Sequence, residues 1–130
     1  MTTFTDTETM YKVLGNAFQT WASHPDVASR LQEADISLRF NLNNPQGCLY
    51  LSRDGKVLFG ALDMKAKVEM TLDVDTIHQC LLRTFLIASA LATEKIKVRG
   101  SMAAVLKILS MLEPMYEIYP EIARSYGIST

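Results

Sequence analysis

Apolar residues Met10, Val13, Leu14, Ala17, Phe18 and Trp21 recur at helical spacing, so residues from about Thr7 to Ala22 are predicted to form an amphipathic helix with one broad dry face. Ser23-His24-Pro25-Asp26 interrupts it, and Val27, Leu31 and Ala34 carry a second, shorter helix started by the serine and the proline. From Ile36 the period changes to two. Ile36, Leu38, Phe40 and Leu42 alternate with Ser37, Arg39 and Asn41, which predicts a strand with one face buried. Asn43-Asn44-Pro45-Gln46-Gly47 turns the chain into a second strand, Cys48 to Ser52. It meets a third, Val57 to Leu62, across Arg53-Asp54-Gly55-Lys56, where Asp-Gly is a strong hairpin signal. Val68, Met70, Leu72 and Val74 alternate with Glu69, Thr71 and Asp73 to give a fourth strand.

Asp75 is placed to cap a helix in which Ile77, Leu81, Leu82 and Phe85 share a face. The segment that follows, Phe85 to Ala92, is apolar nearly all round, and a helix of that kind needs cover on more than one side. Lys95 to Arg99 alternates basic and β-branched residues as a fifth strand, Gly100 provides a sharp exit and Ser101 an N-cap. The helix beyond carries Met102, Val105, Leu106, Leu109 and Leu112 on one face, with Ile108, Met111 and Met115 widening the stripe. Pro114 and Pro120 are expected to cut the remainder into short helical pieces bearing Tyr116, Ile118, Tyr119, Ile122 and Tyr126. No repeat, linker or low-complexity tract interrupts residues 1–130, which read as one α+β domain with helices layered on one face of a sheet.

At 130 residues the chain is long enough to bury a real core without staples. An apolar fraction of 48% with 21% charged residues leaves apolar surface to spare for a ligand or a second subunit. Thirteen basic and fourteen acidic residues give a net charge of -1, which supplies no overall attraction to nucleic acid, and none is expected as a partner. Cys48 and Cys80 have neither CxxC spacing nor a histidine cluster and read as packed thiols. No secretory leader pattern opens the sequence, no apolar run is long enough to span a bilayer, and Gly-Ile-Ser-Thr at the end is not a peroxisomal address; a cytoplasmic protein is expected.

Candidate chemistry is sparse. His24 lies in a helix-breaking loop, and His78 and Cys80, two apart on a helix, point to different sides and make a poor base-nucleophile pair. Neither catalysis, nor a metal, nor a cofactor is expected. Lys95, Lys97 and Arg99 fall at i, i+2 and i+4 and form a basic row, joined in sequence by Lys65 and Lys67. It is either a solvated face that protects a sheet edge or a contact for anionic phospholipid. Tyr116, Tyr119 and Tyr126 suit equally a lid over a pocket or an interface.

Lys95-Ile96-Lys97-Val98-Arg99-Gly100-Ser101-Met102, followed by Lys107, closely resembles the C-terminal signature of the sterol carrier protein type 2 domains. The resemblance extends from about residue 8 to 112. It is close from Glu69 to Met102 and looser in the first half, where the alternating first strand, the Asp-Gly-Lys turn and Ala66 carry it; residues 113–130 stand as a C-terminal helical tail without a counterpart. It implies a five-stranded mixed sheet backed by helices and enclosing a hydrophobic tunnel for a fatty acyl chain, a sterol or an isoprenoid-like ligand, bound without catalysis. The tunnel lining is then expected from Phe40, Tyr50, Phe59, Met70, Leu72 and Leu81, and from Phe85, Leu91, Met102, Leu106, Leu109 and Met115. Arg83-Thr84-Phe85-Leu86-Ile87 stands where many relatives have a Gly-Lys-x-Asn-Pro turn, so the loop shaping the tunnel is more apolar here. Composition turns Leu49 and Leu51 of the second strand inward, whereas matching the turn to the family turns Cys48, Tyr50 and Ser52 inward, because a one-residue shift swaps faces. In the second register Leu49 and Leu51 need cover, which points to a homodimer through the sheet. The competing function is a ligand-free homodimeric interaction module, or a scaffold for an enzyme of a lipid or quinone pathway.

Overall fold

A computed structural model describes residues 3–60 and 64–130. Its first helix, α1 (Thr7–Ser23), starts at Asp6, whose carboxylate accepts the Thr9 amide at 2.7 Å. It buries Met10, Val13, Leu14, Ala17, Phe18 and Trp21, the face that the helical spacing defines. After the break at His24, α2 (Pro25–Glu33) begins on its proline and buries Val27 and Leu31. The sheet comprises β1 (Leu38–Asn43), β2 (Gly47–Leu51), β3 (Val57–Phe59), β4 (Val68–Asp73) and β5 (Ile96–Gly100), in the order β3-β2-β1-β4-β5. β1, β2 and β3 form an antiparallel meander, β4 runs parallel to β1, and β5 antiparallel to β4. The predicted third strand ends at Phe59 in the structure; Ala61 and Leu62 lie outside the described residues.

The register settles how β2 faces. Leu49 lies opposite Phe40 and Leu51 opposite Leu38, so these leucines share the buried face and are 1% and 0% exposed. Tyr50 lies opposite Arg39 and Cys48 opposite Asn41, on the other face. The compositional reading of this strand is the one the structure adopts. The cover that Leu49 and Leu51 need comes from the chain's own helices, and the argument for a dimer through the sheet loses its premise. The outer face of the central strands is polar and bonded to itself: Asn41 donates to Glu69 at 2.7 Å, and Arg39 donates to Asn41 at 3.1 Å and to the Met64 carbonyl at 3.0 Å.

The remaining helices are α3 (Val74–Leu81), α4 (Ile87–Ala92), α5 (Met102–Ser110) and α6 (Glu113–Ser125). Asp73, not Asp75, takes the N-cap position of α3; the Asp75 carboxylate is occupied by the Thr3 amide and hydroxyl. Ser101 caps α5 as expected, accepting the Ala104 amide at 3.2 Å. Pro114 opens α6, but Pro120 sits inside it without ending it. Met115, Tyr119 and Ala123, four apart and each 0% exposed, clamp both halves of α6 into the core, and this packing outweighs the hydrogen bond the proline removes. Trp21 ties α1 to the end of α5 by donating its indole N–H to the Met111 carbonyl at 2.9 Å.

α4 is the least buried helix. Only Ala90 of its residues is buried, and Leu86, just before it, is 68% exposed. The chain's own core covers one side of this apolar segment, because six residues span less than two turns.

Candidate functional site

A cavity of about 60 Å3 lies between the helices and the inner face of the sheet. β1 and β4 supply its floor through Leu38, Phe40, Met70 and Leu72, and Ile96 of β5 extends it. These residues come together because parallel β1 and β4 pair Phe40 with Met70 and Leu42 with Leu72, and β5 pairs Ile96 with Leu72. α3 contributes Ile77, Cys80 and Leu81, α4 contributes Ile87 and Leu91, and α5 contributes Val105, Ile108 and Leu109. Phe18 and Trp21 of α1 and Leu112 close the remaining side. No polar atom contributes to the lining surface. Such a space has no affinity for water and offers a ligand only dispersion and desolvation.

Of the residues expected to line a tunnel, Phe40, Met70, Leu72, Leu81, Leu91 and Leu109 meet at this cavity. Six do not. Tyr50 points to the outer face of β2, and Phe59, on the edge strand, stacks on Tyr11 with ring centroids 4.8 Å apart. Phe85 is half-buried beneath the Lys95 ammonium, 4.7 Å from its ring centroid. Met115 is buried in α6, away from the cavity wall. Met102 and Leu106 are 64% and 61% exposed, because the buried face of α5 runs through Ala104, Val105 and Ile108. α5 is almost entirely apolar, so its residues do not fix its rotational phase. Ile77 and Cys80, and Val105 and Ile108, were present at helical spacing as a signal for the residues that sequence reasoning left out.

His78 and Cys80 diverge as their i, i+2 spacing demands. Cys80 points into the cavity wall, where burial raises its thiol pKa, with Lys95 opposing. His78 points toward α6 and the C-terminus: its Nδ1 lies 2.5 Å from the Tyr119 hydroxyl and its Nε2 3.0 Å from the Ser129 carbonyl. A carbonyl only accepts, so Nε2 carries a proton; in the neutral ring, which burial favours, Nδ1 then accepts from the Tyr119 hydroxyl. Burial lowers the His78 pKa, against the Ser129 bond and the Asp75 charge, and burial raises that of Tyr119. Both ring nitrogens are engaged in holding the fold together. Among the described residues no three His, Cys, Asp or Glu side chains gather as a metal would require, and no helix is long and apolar enough to cross a membrane.

The basic row is divided. Lys97 and Arg99 of β5 face outward opposite Thr71 and Glu69, while Lys95 precedes the strand and covers Phe85. Lys67 turns away to donate to the Ala34 carbonyl at the end of α2.

Several solved structures share this architecture. The sterol carrier protein domain 2 of Helicoverpa armigera superposes with a TM-score of 0.69 at 16% identity, covering 84% of this chain and 89% of that one. Sterol carrier protein 2 from Yarrowia lipolytica gives 0.61 at 18% identity, covering 82% and 92%. UbiJ-SCP2, a ubiquinone synthesis protein, gives 0.58 at 12% identity, covering 79% and 89%. No curated protein matches the sequence. The family model of the SCP-2 sterol transfer family matches residues 16–113, which run from the middle of α1 to the start of α6 and include every element that walls the cavity; the chain belongs to that family.

Proposed function

We infer that the protein binds, without catalysis, a lipid or similar apolar ligand between the sheet and helices α3, α4 and α5, and transfers it. The observation that carries this reading is the cavity's lining: every element of the fold that reaches it contributes only apolar surface. Membership of the SCP-2 sterol transfer family supports the ligand class, whether fatty acyl, sterol or isoprenoid-like.

The cavity is far smaller than the ~300–1,000 Å3 of ligand sites. Loading therefore requires it to open, and α4 is the element best suited to move. It has one buried residue, and Arg83 (φ 65°) and Glu94 (φ 61°), on either side of it, adopt the left-handed conformation. Displacing α4 from the sheet edge at β5 enlarges the space.

The small cavity also favours a second reading, a closed module that meets a protein partner, either a second copy or an enzyme of a lipid or quinone pathway. One experiment separates the two. Leu109→Trp fills the cavity from a half-buried position, and titration with a fluorescent fatty acid should then show tight binding to the wild type and at least ~10-fold weaker binding to the variant. Equal binding by a folded Leu109→Trp chain would remove the cavity as the site. Native mass spectrometry of protein from its expression host, with extraction of any bound lipid, would name the ligand.

A further inference from the structure

The corner between α3 and α4 joins two walls of the cavity: Ile77, Cys80 and Leu81 line it before the corner, Ile87 and Leu91 after it. At the corner the Thr84 amide donates to the Gln79 carbonyl at 3.0 Å and the Arg83 amide to the Cys80 carbonyl at 3.1 Å, with Arg83 left-handed at φ 65°. Glycine takes that position after a helix without strain, whereas arginine is crowded by its own Cβ. What arginine adds is its head. The guanidinium lies over the Tyr116 ring of α6, 4.5 Å from the centroid. Among the described residues Arg83 makes no ion pair; the two salt bridges are Lys12–Glu8 and Arg53–Asp35.

Tyr119, three residues further along α6 and so on the same side of it, grips α3 itself, its hydroxyl 2.5 Å from His78 Nδ1. α6 is well anchored for this. Met115, Tyr119 and Ala123 are each 0% exposed, and the helix packs on α1. The helix that carries both tyrosines runs on past residue 113, where the family match ends. α4 is held more lightly: it leans on β5, and the Lys95 ammonium, 4.7 Å from the Phe85 ring centroid, ties its exit to its entrance. A short helix fastened end to end moves as one body about Arg83 and Glu94, and Tyr116 is where the first of these hinges meets the rest of the molecule.

We propose that α6 is a strap on the cavity: with Tyr116 under Arg83 and Tyr119 on His78 it holds the α3–α4 corner shut and sets how often α4 swings out. Its value as a control on ligand entry rests on the carrier reading; the strap itself does not.

The test is hydrogen exchange of the ligand-free full chain, read peptide by peptide by mass spectrometry. Arg83→Asn tolerates the left-handed corner and removes the cation; it and Tyr116→Leu should each speed exchange over residues 86–95 about two- to fivefold, with β1 and β4 at the wild-type rate. The double variant should match either single one, because both remove one contact, and Arg83→Lys should restore most of the protection. Tyr119→Phe breaks the second grip and should speed α3 and α4 beyond any change in the sheet. The proposal is overturned if residues 86–95 keep the wild-type rate in both single variants or if their two effects add. Equal acceleration of every element overturns it too, since that marks a loss of global stability. Binding of a fluorescent fatty acid by the same proteins is read separately, and its association should quicken in step with exchange over α4. A wild type that takes up no fatty acid sinks the carrier reading alone, and uptake with α4 exchange unaltered by the variants sinks the strap alone.

Discussion

Gly100 ends β5 at φ 117°, and a Cβ there would lie 2.2 Å from the Lys67 carbonyl oxygen, a backbone atom of the adjacent strand region. Neither strain nor clash has a cheap remedy, so Gly100→Ala should cost about 3 kcal/mol or more in a denaturant titration. Gly15 makes the contrast. A Cβ on it meets the Phe59 ring at 2.4 Å, but that ring belongs to an edge strand, is 42% exposed and can swing away, while alanine improves the helix. Gly15→Ala should stay within about 1 kcal/mol of wild type. The glycine at the sharp exit from the fifth strand was legible in the sequence; the notch under Phe59 was not, because it depends on which side chain arrives from a distant strand. His78 carries a pH prediction. Its folded pKa lies below the usual 6.5, so as pH falls below 6.5 the unfolded chain takes up the proton first and stability declines until the folded value is reached. Between about pH 7.5 and about pH 5.5 the wild-type melting temperature should drop more than that of His78→Gln, and equal slopes would refute the assignment.

At the level of elements, α1, β1 and the Asp-Gly hairpin were readable because each has one dry face and one wet face, so a single period fixes both type and orientation. α5 had the right type and the wrong phase: with almost no polar residue to mark its outside, Met102 and Leu106 could be turned inward on paper although they lie on the surface. β2 was ambiguous for the opposite reason, since Cys48 and Tyr50 are as plausible inside as Leu49 and Leu51, and only pairing with β1 decides. The same blindness to distant partners affected α6, where Pro120 signalled a break that packing overrides. Phe40, Met70, Leu72 and Leu81 reach the cavity from elements of unambiguous phase, whereas α5 and β2 account for three of the six expected residues that lie elsewhere. α6 itself supplies the next test. Its Met115, Tyr119 and Ala123 pack with α1, and Tyr119 holds His78, so ending the chain after Leu112 should abolish cooperative unfolding and raise the binding of a hydrophobic dye. Met115→Ala, a milder cut at a fully buried site, should cost about 2–5 kcal/mol.

Taken whole, the molecule places its helices on one face of an open sheet and leaves a polar, self-bonded outer face on the central strands, so an apolar guest has one place to go. A guest held by hydrocarbon contact alone should follow a simple rule. Across a series of saturated fatty acids each added methylene should tighten binding about fourfold, the equivalent of ~0.8 kcal/mol, until the opened cavity is full. A series without slope would mean the polar headgroup dominates, at odds with a lining that has no polar atom. The position of Cys80 has one more consequence, in the time domain. The residue is 4% exposed and forms part of the cavity wall, so a soluble thiol reagent reaches its sulfur only while the wall is parted. With Cys48 replaced by serine, the rate of thiol labelling becomes a clock for that event, saturating with reagent at the opening rate itself and slowing in proportion to the fraction of molecules that are loaded.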